Sequence, residues 1–286
     1  MSFASNTKDE VQVYTPFRRG VPHLGPYLRE LWSRRHFAME LARTEIRTQN
    51  TGTGLGQLWL ILNPLLLTFV YFTLTTILSG GKHGGVPGPV YLAHIMAGLF
   101  LFYFFSTSVI GGAMSILSSG RLILNTAFPK MLLPLSVVMV SFMRFLPSLL
   151  IYAVVHTIAG IPWTPQMLWA LVPMVLIAIF ASGLAMLFAT LNLYFRDTRA
   201  FLPYAMRIWL YLSPVLWLPE QVRDSLAFLK WINPLFSIIG AWSEAIVEGK
   251  QPDLQLLGLG AAFAFAALLI GGYALLSRER EFAVRI

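Results

Sequence analysis

The chain has 286 residues, 56% of them hydrophobic and only 12% charged, with a mean hydropathy of +0.66. A water-soluble domain carries roughly 25% charged residues, so lipid must solvate much of this chain. The lack of cysteine excludes disulfides, thiolate chemistry and Cys-ligated metal, and the net charge of +8 is sorted by membrane side rather than spread as a nucleic-acid surface.

Residues 1–24 read as a polar cytoplasmic tail, with Arg18 and Arg19 placed well before any apolar run, unlike a cleavable signal. Residues 25–50 read as one amphipathic helix. Leu28, Leu31, Trp32, Met39, Ala42 and Ile46 form its apolar face, opposite Arg29, Ser33, His36, Glu40, Arg43 and Arg47. A basic polar face beside a following span predicts an interfacial helix. A soluble helix docked on a partner is the alternative.

Six apolar runs follow within 51–286, at 58–79, 90–112, 131–159, 168–193, 200–218 and 255–277. Each reaches across a hydrocarbon core of roughly 30 Å at roughly 1.5 Å per residue, the fifth being the shortest. The expected fold is therefore an all-α, six-span membrane protein. Between spans five and six, the stretch 219–250 is broken by Asn233-Pro234 into two helical patterns too short to cross. They are expected either as re-entrant helices or as helices resting on the outer leaflet.

Lys and Arg set the orientation. Fifteen fall on the side that holds both termini and four on the other, while Arg144 and Arg207 lie within spans. That asymmetry places the N- and C-termini in the cytoplasm of a multi-pass protein of the bacterial inner membrane.

The acidic residues all lie outside the interiors of the predicted spans, so the carboxylates that usually carry coupling ions are missing. No G-x-x-x-x-G-K-[ST] loop, HExxH or GxSxG is present. Energy for transport must then come from another polypeptide. His94 and His156, near outer span ends, read as structural histidines ahead of proton relays. Arg144 lies near mid-span, where it bonds backbone carbonyls, pairs across an oligomer interface or faces a wet cavity that admits an anionic headgroup. The cluster Phe100, Phe102, Tyr103, Phe104 and Phe105 encircles its helix, so some rings must face protein; packing and lining of a sugar path both remain open.

Several stretches together carry a likeness: GLGQLWLILNPL (54–65), RLILNTAFPKMLLP (121–134), LNLYFRDTRAFLP (191–203), YLSPVLW (211–217) and INPL (232–235). In this order, from about residue 25 onward, the chain resembles the permease subunit of type-2 ABC transporters that export polysaccharides on polyprenyl diphosphate, such as O-antigen, teichoic acid or galactan. The resemblance implies a homodimer around a central path, docked on a separate ATPase subunit that holds ATP and Mg, with no cofactor in this chain. It implies ATPase-coupling loops at 113–130 and 194–200, with Arg121, Asn125, Phe128, Pro129, Lys130, Tyr194, Phe195, Arg196, Asp197 and Arg199. It implies an outer gate at Pro214, Trp217, Asn233, Pro234 and Trp242. The bland reading of Arg196 and Asp197 is a local ion pair ending span four.

Membrane lipid and a polyprenyl-diphosphate-linked polysaccharide are the expected partners, and nucleic acid is not. Arg43 and Arg47, one turn apart, are positioned to grip the diphosphate together with Arg144, or simply to attract anionic lipid. The family often carries an arginine after its NP motif, where this chain has Glu244 and Glu248. Overall likeness leans toward exporters of cell-wall galactan. A type-2 exporter of small drugs or lipids, and a membrane enzyme acting on polyprenyl-linked sugars, are the competing functions.

Overall fold

The computed structural model describes residues 23–48, 54–219 and 227–286. Most of the expected tail therefore lies outside the described residues, as does much of the first outer helical pattern, including Glu220, Val222 and Leu226. Twelve α-helices are described: α1 Leu24–Ser33, α2 Arg35–Thr48, α3 Trp59–Leu78, α4 Gly88–Ser118, α5 Gly120–Asn125, α6 Leu132–Ile158, α7 Leu171–Tyr194, α8 Thr198–Leu212, α9 Leu229–Ile232, α10 Pro234–Ile246, α11 Leu254–Arg278 and α12 Phe282–Arg285.

Five of them are long and apolar enough to cross a membrane: α3, α4, α6, α7 with the turn before it, and α11. Their outward faces suit a lipid solvent. On α6, Leu146, Leu150, Val154 and Ile158 recur every four residues and are all exposed. The fifth expected span is shorter than the apolar run suggested. Helix α8 has 15 residues, about 22 Å at the α-helical rise, against a core of roughly 30 Å. Proline accounts for the shortfall: the residue before a proline is driven from helical to extended backbone, and Ser213, before Pro214, sits at φ −106°, ψ 152°.

The expected amphipathic helix is divided in two at Arg34, whose φ −94°, ψ 13° departs from a helical pair. The division lets the two halves bury different faces. Leu24, Leu28 and Trp32 form an exposed apolar stripe along α1, while Ala38 and Ala42 of α2 are buried, with α2 packed on α6.

Helix α4 lies at the centre and packs on α6 and α7, and α7 packs on α11. Small residues permit these close approaches. A Cβ on Gly271 would stand 1.9 Å from the Gly183 carbonyl oxygen, and one on Gly112 would stand 2.4 Å from the Ala185 Cβ. The aromatic cluster on α4 is mostly packing: Phe105 stacks on Phe180 at 5.4 Å and meets Trp209 edge-on, while Phe104 stacks on Phe145. Tyr103 is the exposed member.

Two apolar clusters make the core. The larger runs through α4, α6, α7 and α10. The smaller gathers α2, the α5–α6 turn, the far ends of α7 and α11, and Phe282. The latter marks the end of the bundle that carries both described chain ends, here termed the terminal end.

Candidate functional site

The opposite end is organised by Asn233. Its side chain caps α10 by accepting from Leu235 N at 3.1 Å, with Pro234 in the first turn, where a proline suits a helix. The same carboxamide accepts from Trp209 Nε1 at 2.8 Å and donates to Leu212 O at 2.9 Å and Ser213 Oγ at 3.3 Å. The SP and NP motifs are thus one hydrogen-bonded unit, which closes off the backbone left open where α8 stops.

Further bonds fasten this unit to α4. Tyr91 donates to Leu216 O at 2.7 Å, Trp242 Nε1 donates to Ala97 O at 3.1 Å, and His94 bonds both Ser243 Oγ and Trp217 O. Pro214, Asn233 and Trp242 are buried, and Trp217 is half-buried. His94 is accordingly a structural histidine. His156 is buried beside the Tyr152 hydroxyl, at 3.3 Å.

The terminal end presents the 119–131 segment and the 194–199 turn. Their residues fall into two classes. Arg121, Asn125, Phe195, Arg196, Asp197 and Arg199 are exposed and available to a partner. Phe128 and Pro129 are buried, with Phe128 against Phe37 of α2 at 5.4 Å. Lys130 folds back onto the Phe128 ring and carbonyl. Among the described residues no ion pair joins Arg196 to Asp197. Asp197 instead stands at the start of α8, where a carboxylate is favoured by the helix dipole.

The sequence reading missed what holds these loops together. The C-terminal segment touches each of them. Glu279 accepts from the Lys130 backbone N–H at 2.6 Å. Glu281 accepts from the Tyr194 hydroxyl at 2.5 Å, and Arg278 and Arg285 both lie against the Tyr194 ring. Phe282 is fully buried, and Ile286 meets Gly120 of α5.

Tyr27 of α1 sits beside Glu279, and burial together with that carboxylate holds its phenol well above the ordinary range. It therefore stays protonated and able to donate. Neither the Tyr27 hydroxyl nor Glu279 Oε2 has a partner in hydrogen-bonding geometry in this conformation. Arg34 closes the group by donating to Ala127 O at 2.8 Å.

Between the two ends lies a polar cavity of about 340 Å³, bordered by α2, α4 and α6. Thr107, Ser115, Ser118, Ser136 and Ser141 line it, and Arg144 stands at its inner end. A smaller cavity of about 60 Å³ shares Thr107, Ser141 and Arg144 and continues past Asn63 and Tyr103. Arg144 Nε is buried without a hydrogen-bond partner where the two cavities meet. Helix α2 contributes Leu41 and Glu45 to the lining, whereas Arg43 and Arg47 lie on another face. Both are exposed, and Arg43 pairs with Glu40 at 2.9 Å.

The order of these parts matches a known family over most of the chain: the sequence profile of the ABC-2 type transporters covers residues 38–246. The chain belongs to that family. It is a multi-pass transport permease rather than an enzyme. Among its relatives is the O-antigen export system permease protein RfbA of Myxococcus xanthus, 30% identical over 263 residues, which span 91% of this chain and 98% of the relative. The protein of the same name from Klebsiella pneumoniae is 27% identical over 212 residues, 73% of this chain and 79% of the relative.

Proposed function

We propose that this permease forms the membrane part of an ATP-driven exporter of polysaccharide linked to polyprenyl diphosphate, moving it from the cytoplasm to the outer side of the inner membrane. The observation that carries this reading is the likeness along nearly the whole chain to a permease named for O-antigen export. An ABC-2 permease works with an ATP-binding partner, and on this reading the partner binds ATP and Mg and supplies the driving force. Cell-wall galactan is the more specific cargo we propose within that class.

The terminal end faces the cytoplasm, in keeping with the excess of Lys and Arg there. The exposed residues of the 119–131 and 194–199 segments, with Asp197 and Arg196 foremost, meet the ATPase. Buried Phe128 and Pro129, with half-buried Tyr194, give those loops a stiff base. The exposed stripe of α1 rests in the cytoplasmic leaflet, its Trp32 at the depth where amphipathic rings settle. Arg43 and Arg47 attract the anionic carrier, and the Ser/Thr-lined cavity leads its diphosphate to Arg144, which offers charge-assisted hydrogen bonds in a low-dielectric site.

Two copies of the chain enclose the path. In a single copy, Phe201 and Tyr204 of α8 are exposed, and aromatic rings of this kind suit stacking against sugars. The fifth crossing is assigned to α8 with the turn after it, and α9 and α10 to a re-entrant pair from the outside. The hydrogen-bonded SP–NP unit is the gate that must yield when polymer passes.

A strain lacking this chain tests the proposal. Lipid-linked polymer is expected to accumulate inside the cell and to return to the surface when the gene is restored. Normal surface polymer in the deletion strain would overturn the assignment.

A further inference from the structure

The C-terminal segment joins three elements that are far apart in sequence. Glu279 receives the backbone N–H of Lys130 at the foot of α6, while Glu281, Arg278 and Arg285 grip Tyr194 at the end of α7. Phe282 anchors the segment in the smaller apolar cluster. The third element is α1, through Tyr27, whose hydroxyl lies beside the Glu279 carboxylate. The Tyr27 hydroxyl and Glu279 Oε2 are both buried, while Glu279 Oε1 holds the Lys130 N–H. The Glu279 carboxylate is thus shared between Tyr27 of α1 and the Lys130 backbone, so a displacement of α1 acts on the Lys130 bond.

We propose that residues 279–286 are a tie that transmits the position of α1 to both ATPase-facing loops, with Glu279 as the positioning residue and Tyr27 as its contact on α1. Headgroup arrival at the membrane-facing helix is thereby reported to the partner subunit. This deepens the exporter reading above and rests on it.

The test uses the full chain with its ATPase partner in vesicles that contain lipid-linked polysaccharide. Tyr27→Phe removes a single hydroxyl. Glu279→Ala removes the acceptor, and Glu279→Gln keeps an acceptor for Lys130 N. Tyr27→Phe and Glu279→Ala are expected to hold the partner and hydrolyse ATP at the parental rate without cargo, yet lose at least about fivefold of the cargo-stimulated rate and of export. Glu279→Gln is expected to retain more than half of both.

Stimulation and export within twofold of the parent in Tyr27→Phe and Glu279→Ala would overturn the tie. So would Glu279→Gln behaving like Glu279→Ala, or loss of the partner in every variant, which would mark the contacts as purely structural. A parent complex that neither responds to cargo nor exports it would instead sink the exporter reading itself.

Discussion

The two ends of the bundle are held together by different chemistry. The end that carries Asn233 is sewn by neutral hydrogen bonds among buried groups: an amide, two tryptophan N–H groups, a tyrosine and a histidine. The terminal end is held by carboxylates, guanidinium groups and aromatic rings, many of them partly exposed. Buried neutral networks lose the full desolvation cost of each group when broken, whereas exposed charged contacts rearrange cheaply because water replaces them. The contrast suits a gate that stays shut unless forced and a docking face that adapts as its partner moves.

The largest expected effect lies in the spine that joins the two ends. Gly183→Val pushes a side chain into the Ala267–Leu268 backbone, 2.3–2.5 Å from where its Cβ would stand. A loss of ~3 kcal/mol or more is expected, seen as failure to recover folded protein in detergent. Next comes the network itself. Asn233→Ala removes the cap of α10 and strands Trp209 Nε1, so a loss of about 2–3 kcal/mol is expected, read as a lower midpoint in thermal unfolding.

A smaller effect on stability, but a large one on transport, is expected at the terminal end. Asp197→Ala and Arg196→Ala change exposed side chains, so folding stability should move by less than about 0.5 kcal/mol. Export per ATP hydrolysed is expected to fall severalfold, and unchanged export per ATP would remove these residues from coupling. Arg144→Met keeps volume and loses charge. It is expected to weaken stimulation of the ATPase by lipid-linked cargo about tenfold, the worth of one charge-assisted bond of about 1.4 kcal/mol. The mildest case is Arg43→Glu with Arg47→Glu, where reduced stimulation is expected to shrink further as salt rises, because the contact is long-range and exposed.

How much of this was legible in the sequence depended on how far each signal reaches along the chain. Apolar run length is a local signal, and it placed α3, α4, α6, α7 and α11 to within a few residues, except that α4 continues to Ser118 past the expected end at 112. That extension, Ala113–Ser118, keeps its helical course because Ala113 and Ile116 are fully buried, with the Asn192 side chain of α7 donating to Ala113 O. The fifth run was apolar through 218, yet Pro214 ended the helix at Leu212 because backbone restriction outweighs hydrophobicity.

The break at Asn233-Pro234 was readable from turn chemistry alone. Its bond to Ser213 was not, since nothing local links residues 20 positions apart. The C-terminal tie was hidden for the same reason. SRERE beside a span reads as an ordinary cytoplasmic flank, and only the fold shows that Glu279 reaches Lys130, 149 residues away. Arg144 was visible as a costly intramembrane charge, but the row of Ser and Thr that makes its cavity polar comes from two helices and was invisible in either one.

Reconstitution addresses the central claim most directly. The chain and its ATPase partner are placed in sealed vesicles with lipid-linked polysaccharide on the ATPase side, and polymer that becomes shielded from an added glycosidase is measured. The account predicts shielding only when both proteins and hydrolysable ATP are present, and severalfold less per ATP hydrolysed with the Asp197→Ala chain. Equal shielding by the chain alone, driven by a proton gradient without ATP, would contradict it.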